Sequence, residues 1–367
     1  MEIGIIGLPN SGKTTVLNAL TGGHAETVSH QPGAVEPNVG VVKVPDTRLD
    51  TLVGIFSPKR VVPAEVKYVD VAGSPKGFGR GEGIGGPFLN YLGGVDAIIH
   101  VVRSFKSESV PHVEGSVNPH RDIATMNLEL AFSYMAILER RLERLRLGLK
   151  AARPQERDAI IQEETWLQDL KGQLENEVPL RELALPDDQF KKLLNYSLLT
   201  LKPLIILINL GEENVAEAPV VESQYRKIYE ARGCEVVALC GKLEMELGEM
   251  EPEEAQGFRE AWGMSQEPGL HRLIRTSYQL LGLQSFFTVG PDEVKAWSVP
   301  GETHAPRAAG KVHSDMEKGF IRAEVIGWHE LTQCGGMAEA RRRGLLRLEG
   351  RNYLVKDGDV ITFLFNL

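Results

Sequence analysis

The sequence predicts an α/β fold: a mainly parallel sheet with helices between its strands, interrupted by an antiparallel helical hairpin and followed by a small α+β domain. Three observations predict it. Apolar, strand-sized runs recur at residues 3–6, 64–70, 95–102, 203–209 and 235–240 with helical stretches between them, the alternation that builds βαβ units. The first run passes directly into a glycine-framed loop and then a helix. Residues 126–178 change to a seven-residue apolar repeat, the mark of paired helices rather than of a sheet.

In order along the chain, Ile3-Gly4-Ile5-Ile6 is long enough for a buried strand. It is followed by Gly7-Leu8-Pro9-Asn10-Ser11-Gly12-Lys13-Thr14-Thr15 and a helical run from Val16 to Leu20. This is G-x-x-x-x-G-K-[ST] between strand and helix, the setting of a phosphate-binding loop. Gly7 and Gly12 allow the backbone to bend around an anion. Loop amides from Gly7 through Thr15 and the helix N-terminus supply positive potential for phosphates. Lys13 is expected to reach the β- and γ-phosphates, and the Thr14 hydroxyl to bind Mg²⁺.

The strand at 64–70 ends in Asp70-Val71-Ala72-Gly73, a D-x-x-G. Asp70 is expected to hold Mg²⁺ through water, and the Gly73 amide to sense the γ-phosphate. The glycine-rich stretch from Ser74 to Gly94 suits a switch that a ligand sets.

Between residues 126 and 178, Leu128, Met135, Leu142 and Leu149 recur every seven residues, with Ala131, Leu138 and Leu145 between them. Ile160, Leu167 and Leu174 repeat the spacing, with Leu170 between. The spacing predicts two helices with a coiled-coil seam, turning near Pro154. Arg140, Arg141, Arg144, Arg146, Lys150, Arg153 and Arg157 surround the turn, a candidate contact for RNA or an acidic protein.

A helix around 188–201 leads to the buried strand 203–209 and the tetrad Asn209-Leu210-Gly211-Glu212. Guanine-specific P-loop switches carry N-K-x-D here, whose Asp grips two guanine N–H donors. A carboxylate one methylene longer does not automatically reproduce that fit, and unpaired guanine donors are costly. Leu210 offers apolar packing to adenine, and Cys240-Gly241 brings backbone groups to the base. ATP is the first choice and GTP the second. After residue 282 come short β-like runs at 285–289, 293–297, 320–325, 353–356 and 360–365, with a second basic group of Arg341, Arg342, Arg343, Arg347 and Arg351.

Composition bounds the rest. At 367 residues the chain suits two or three domains of roughly 150 residues each. No apolar run approaches the ~20 residues of a membrane span. The chain starts on its first strand and carries three cysteines without metal-ligand spacing, so a cytoplasmic protein without a signal peptide or membrane partner is expected. A net charge of −9 argues against non-specific coating of nucleic acid, and no DNA sequence specificity is expected.

Taken together, Gly-Leu-Pro-Asn-Ser-Gly-Lys-Thr at 7–14, Glu36-Pro37-Asn38-Val39-Gly40, Asp70-Val71-Ala72-Gly73 with Gly81-Glu82-Gly83, the N-x-x-E tetrad, Lys242-Leu243-Glu244 and Glu317-Lys318-Gly319-Phe320-Ile321-Arg322-Ala323-Glu324 resemble the Obg-like ATPase family. This is the YchF group of translation-factor-class P-loop NTPases, and the resemblance runs over essentially the whole chain. It implies a Ras-like, Obg-type G domain over 1–282, interrupted by a coiled-coil arm at 126–194, and a ubiquitin-like TGS domain over 284–367. It also implies Mg²⁺, slow ATP hydrolysis (GTP in some members), and association with ribosomes or RNA through the arm and TGS domain.

The resemblance makes His112 the candidate for positioning or deprotonating water, and Asn10 a candidate for holding K⁺ against the phosphates. Two positions depart from the pattern. Ser74 follows D-x-x-G where the family has a hydrophobic residue, and Ala34 stands where a Thr would assist Mg²⁺. The alternatives to a slow regulatory ATPase are a GTPase switch of the same fold and a nucleotide-gated ribosome- or RNA-binding module with negligible turnover.

Overall fold

The protein, here as a computed structural model, is described over residues 1–23, 26–27, 37–71, 91–194, 198–231 and 233–366. The chain opens with β1 (Glu2–Ile6), α1 (Lys13–Thr21), β2 (Glu26–Thr27), β3 (Pro37–Lys43), α2 (Thr47–Phe56), β4 (Arg60–Val62), β5 (Glu65–Val71) and β6 (Ala97–Ser104). Two long helices follow, α3 (Pro119–Ala151) and α4 (Pro154–Glu175), then α5 (Asp187–Leu194), β7 (Leu204–Leu210), α6 (Ala218–Tyr229) and β8 (Cys234–Leu239). Helices α7 (Gly241–Gly248), α8 (Pro252–Ala261) and α9 (Gly269–Leu280) complete this part. Among the described residues β2-β3-β5-β1-β6-β7-β8 form one sheet, in that spatial order. Strand β1 lies between β5 and β6 and runs parallel to both. The five apolar runs of the sequence are therefore β1, β5, β6, β7 and β8, the parallel centre of the sheet.

These strands are apolar on both faces, as a sheet covered by helices on each side requires. Every residue of β7 is buried. The buried polar residues of β6 are therefore conspicuous: His100 and Arg103 are 1% and 2% exposed.

The helical hairpin starts where its sequence says it should. The Asn118 side chain accepts the Arg121 amide at 3.1 Å and Pro119 follows at the first helical position, a cap and an N1 residue that suit their places. At 1.5 Å per residue the 33 residues of α3 extend about 50 Å. The turn falls between Ala151 and Pro154, as the sequence predicts. The seam differs. Its buried stripe on α3 is Ile123, Met126, Leu130, Tyr134, Leu138, Leu142 and Leu145, facing Leu167, Leu170 and Leu174, whereas Leu128, Met135 and Leu149 are only half-buried. Steps of three and four keep one face of a straight helix inward, while a strict seven-residue repeat drifts around it. At the root, the buried Tyr134 hydroxyl accepts the Leu199 amide at 2.6 Å. Across the two helices run the pairs Arg141–Glu163, Arg146–Glu164 and Lys171–Glu139.

The chain divides into two units: residues 1–41 with 67–272, and residues 42–66 with 273–367. The sequence boundaries place residues 1–282, interrupted by the arm at 126–194, in the first domain and 284–367 in the second; here residues 42–66 and 273–282 group with the second unit. In the second unit β9 (Leu283–Val289), β10 (Glu293–Pro300), β11 (Phe320–Gly327), β12 (Arg347–Glu349) and β13 (Asp359–Phe365) are joined by β4, in the order β12-β11-β13-β9-β10-β4. Strand β4 pairs in parallel with β10, Val61 opposite Val294. Helix α2 packs on β9 and β10, and its Arg48 reaches Asp357 at 2.6 Å. Phe286, Phe320, Val325, Ile361 and Phe363 centre the core. The expected strand at 353–356 is reduced to one bridge, Leu354 to His304.

The observed seam makes a test. Leu138→Ala should lower stability by about 2–5 kcal/mol, whereas Leu149→Ala should cost about 1 kcal/mol or less. Urea unfolding of both variants separates this seam from the seven-residue one, which requires similar losses at the two positions.

Candidate functional site

The loop between β1 and α1 has the bends its glycines allow. Gly12 caps α1 in the left-handed region at φ 96°, and a Cβ there would collide with the Asn209 side-chain amide. A Cβ on Gly7 would collide with the Val101 carbonyl and press on Ser11. No side chain caps α1, so its first amides face the loop's concavity, where an anion is favoured. Lys13 Nζ donates to the Gly7 and Leu8 carbonyls at 3.0 and 3.2 Å. Burial pulls its pKa down while Asp70 opposes the shift.

Thr14 Oγ1 donates to Asp70 Oδ2 at 3.0 Å, so the two residues predicted to serve a metal converge from α1 and β5. Asp70 is 2% exposed, and its Oδ1 has no partner among the described residues. Burial raises the Asp70 pKa, opposed by Thr14 and by Lys13. A buried carboxylate oxygen without a donor, beside a hydroxyl, fits a hard divalent cation such as Mg²⁺, which takes few protein oxygens and completes its shell with phosphate and water. No cluster of three acidic, His or Cys side chains occurs among the described residues, so a metal here needs the nucleotide's oxygens. Gly73, Ala34 and Ser74 lie outside the described residues.

A cavity of about 620 Å³ adjoins the loop, within the range of small-molecule sites. Asn10, Gly12 and Thr15 form one side; the segments after β6 (Phe105 to Val110), β7 (Asn209 to Glu213) and β8 (Cys240 to Met245) form the others. It thus lies at the carboxyl ends of parallel strands, where open α/β sheets place ligands. Pro9 is half-buried in the loop. The buried Ser11 hydroxyl has no partner among the described residues.

Asn209 was expected at the base, but its amide is occupied elsewhere. Nδ2 donates to the Ser11 carbonyl at 2.9 Å and Oδ1 accepts the Gly241 amide at 3.0 Å. It braces the phosphate loop against the start of α7. Leu210 and Cys240 are buried at 3% and 2% exposure, and burial pushes the Cys240 thiol pKa up. Glu212 Oε1 is held by Lys242 Nζ at 2.6 Å. Glu244, from the motif beside Lys242, is structural: it takes Arg259 at 2.8 and 3.1 Å and the Gly269 amide at 2.9 Å.

Both ring nitrogens of His112 are engaged by neighbouring residues. Its Nδ1 accepts the Glu114 amide at 3.1 Å, so Nε2 carries the proton and donates to Asp122 at 2.8 Å. Both side chains are nearly sealed from solvent. Asn10, with φ 63°, donates through Nδ2 to the Pro111 carbonyl at 3.1 Å, which ties the phosphate loop to the segment carrying His112.

Arg103, unnoticed in the sequence, organises that segment. Its guanidinium donates to the carbonyls of Phe105, Val110 and Asn10 at 3.1, 2.7 and 3.4 Å and stacks over the Phe105 ring at 4.4 Å. A cation at the end of an otherwise apolar strand is the signal that could have found it. The C-terminal arginines are matched internally: Arg341 with Glu324, Arg342 and Arg343 with Glu339, and Arg347 with Asp359, while Arg351 donates to the Phe320 carbonyl. Around the hairpin turn Arg140, Arg144, Lys150, Arg153 and Arg157 are exposed.

Comparison with known proteins follows the same lines. Residues 2–133 match the family described as 50S ribosome-binding GTPase, and residues 283–366 match the C-terminal family of YchF-type GTPases, described as a protein of unknown function. The chain is 43% identical to the ribosome-binding ATPase YchF of Bacillus subtilis (strain 168) over 100% of both proteins. The chain belongs to the YchF family. It is 42% identical to the ribosome-binding ATPase YchF of Escherichia coli O157:H7, over 100% of this chain and 99% of that one. The YchF GTPase structure of Schizosaccharomyces pombe superposes with a TM-score of 0.85 at 30% identity, covering 99% of this chain and 97% of that one. A P-loop G domain with a C-terminal β-rich domain is thus the family architecture.

Two outcomes check the site. Asn209→Ala should weaken ATP and GTP binding alike, by about tenfold or more, because it frees the loop and orphans a buried amide; a change in the ATP-to-GTP ratio would show a base contact instead. Burial, with the charges of Lys13 and Arg181, lowers the His100 pKa from 6.5 to about 3. The unfolded chain therefore binds an extra proton below pH 6.5, so His100 removes stability as the pH falls. Between pH 7 and pH 5, His100→Gln should lose about 2 kcal/mol less than the unchanged protein in urea unfolding.

Proposed function

We propose that the protein is a Mg²⁺-dependent P-loop nucleoside triphosphatase that prefers ATP, hydrolyses it slowly, and couples nucleotide occupancy to ribosome or RNA binding in the cytoplasm. The observation that carries this is the convergence of Lys13, Thr14 and Asp70 at the loop before α1, beside a cavity of about 620 Å³. The loop amides and Lys13 would hold the phosphates and balance the charge that develops on the transferred group. Thr14 and Asp70 would hold Mg²⁺, which supplies neutralisation of the phosphate oxygens.

The preference for ATP is supported by the Glu212–Lys242 pair. A carboxylate neutralised by an ammonium at 2.6 Å is poorly prepared to take two N–H donors of guanine, while Leu210 and Cys240 give the cavity an apolar side. Slow turnover is supported by His112, whose ring nitrogens are engaged by Glu114 and Asp122. Its proposed action on water needs the segment between Phe105 and Val117 to rearrange, and so does the proposed K⁺ at Asn10. The exposed arginines at the hairpin turn are the favoured ribosome or RNA contact, since the C-terminal arginines are already paired. Among the described residues no helix is long and apolar enough to cross a membrane.

Competition of ATP against GTP, with Lys13→Ala as control, tests the reading. ATP should displace GTP at lower concentration, and Lys13→Ala should abolish phosphate release. A clear GTP preference would convert the reading to a GTPase switch. Tight ATP binding without phosphate release, even with ribosomes and K⁺ present, would leave a nucleotide-gated binding module.

A further inference from the structure

At the root of the helical hairpin, away from the phosphate loop, lies a second cavity of about 120 Å³. Its walls are mainly apolar, including Ile123, Leu128 and Ala131 of α3 and Leu174 of α4, and Asn127, Glu177, Arg181 and Thr200 also line it. Arg181 is 8% exposed and Thr200 4%. The Arg181 Nε donates to the Lys202 carbonyl at 3.0 Å, which fixes the plane of the guanidinium. Its Nη2 and the Thr200 hydroxyl are both buried and both lack a hydrogen-bond partner among the described residues. The neighbouring Glu182 and Glu177 are exposed.

Buried donors are nearly always satisfied, and a guanidinium more urgently than a neutral group. Arg181 and Thr200 line one mainly apolar chamber and each carries an orphaned donor, so the polar end of a recognition site is already built. We infer that this cavity binds a small carboxylate with an apolar tail, its two oxygens taken by Arg181 Nη2 and Thr200 Oγ1. A carboxylate matches two donors, and charge-assisted bonds from a guanidinium are the strong kind. A phosphate dianion does not match: it needs a ring of donors such as the phosphate loop has, and Glu177 at the rim opposes a second negative charge. The volume holds about four water-sized groups, the size of a short-chain acid or of the last side chain and carboxylate of a peptide. Tyr229 lines the cavity, with its hydroxyl 2.7 Å from His120 Nδ1.

The test uses full-length protein carrying Lys13→Ala, so that the phosphate loop does not report. Sodium butyrate, N-acetylvaline, butyramide and inorganic phosphate are titrated by ligand-observed NMR. Butyrate, N-acetylvaline or both should bind saturably at one site, with butyramide about tenfold weaker or worse and phosphate not binding. Preference for butyrate assigns a free acid, and preference for N-acetylvaline assigns a chain terminus. Arg181→Gln and Thr200→Val should each weaken binding by about tenfold, and Ala131→Phe should abolish it by filling the chamber. Ala131→Phe decides the matter if Arg181→Gln fails to fold. Equal binding of butyrate and butyramide, phosphate binding as tight as butyrate, no saturable binding of any acid, or binding that survives Ala131→Phe would each overturn the assignment.

Discussion

One side-chain amide holds the nucleotide site together. Asn209, at the end of the fully buried β7, bonds the carbonyl of Ser11 with one end and the amide of Gly241 with the other. Three segments distant in sequence are thereby fixed to one another: the phosphate loop, the strand end and the start of α7. The closeness of the approach explains why Gly12 must lack a Cβ. Arg103 does the corresponding work on the opposite side, binding main-chain carbonyls of the loop and of the segment after β6. Both braces act on backbone groups, and they add to the bonds that the loop's own Lys13 and Asn10 side chains make.

What could be read in the sequence was what is local. The phosphate loop is nine consecutive residues whose letters carry their own geometry, and the five parallel strands are runs of adjacent apolar residues. The helices of the hairpin and their turn at Pro154 were legible for the same reason. The seam was legible in part: Ala131, Leu138, Leu142, Leu145, Leu167, Leu170 and Leu174 are buried as expected, while the straight helix turns Leu128 and Leu149 partly outward. Asn209 shows the same limit in chemistry. Its position in the tetrad marks it as important, but its partners lie 198 and 32 residues away, and the motif suggested a base where the structure has a brace. Glu212 lines the cavity and His112 sits on the segment that Asn10 ties to the phosphate loop; that Lys242 and Asp122 hold them could not be inferred from spacing.

The charges of the molecule divide into those with a partner and those without. The arginines after Arg341 are answered by Glu324, Glu339 and Asp359, and exposed pairs of this kind contribute little to stability. They do remove what looked from composition like a second basic surface. The turn of the hairpin keeps its exposed cations, with Glu163 and Glu164 taking only Arg141 and Arg146. Inside the fold, Arg181 carries a donor with no partner among the described residues.

The pairing of β4 with β10 has a consequence for synthesis. Val61 waits for Val294, so roughly 230 residues must be added before the strand finds its neighbour, a delay of about 10–50 s at ordinary elongation rates. During that interval α2 and β4 are tethered by β3 and β5 to a sheet whose parts arrive earlier, with Leu49 and Leu52 lacking the surface that later covers them. The nascent chain therefore has a built-in order of assembly, in which the second unit closes only after most of the first has left the tunnel. A substitution that slowed β9 or β10 would show itself as aggregation through this early, uncovered hairpin of α2 and β4 rather than as a loss of nucleotide binding.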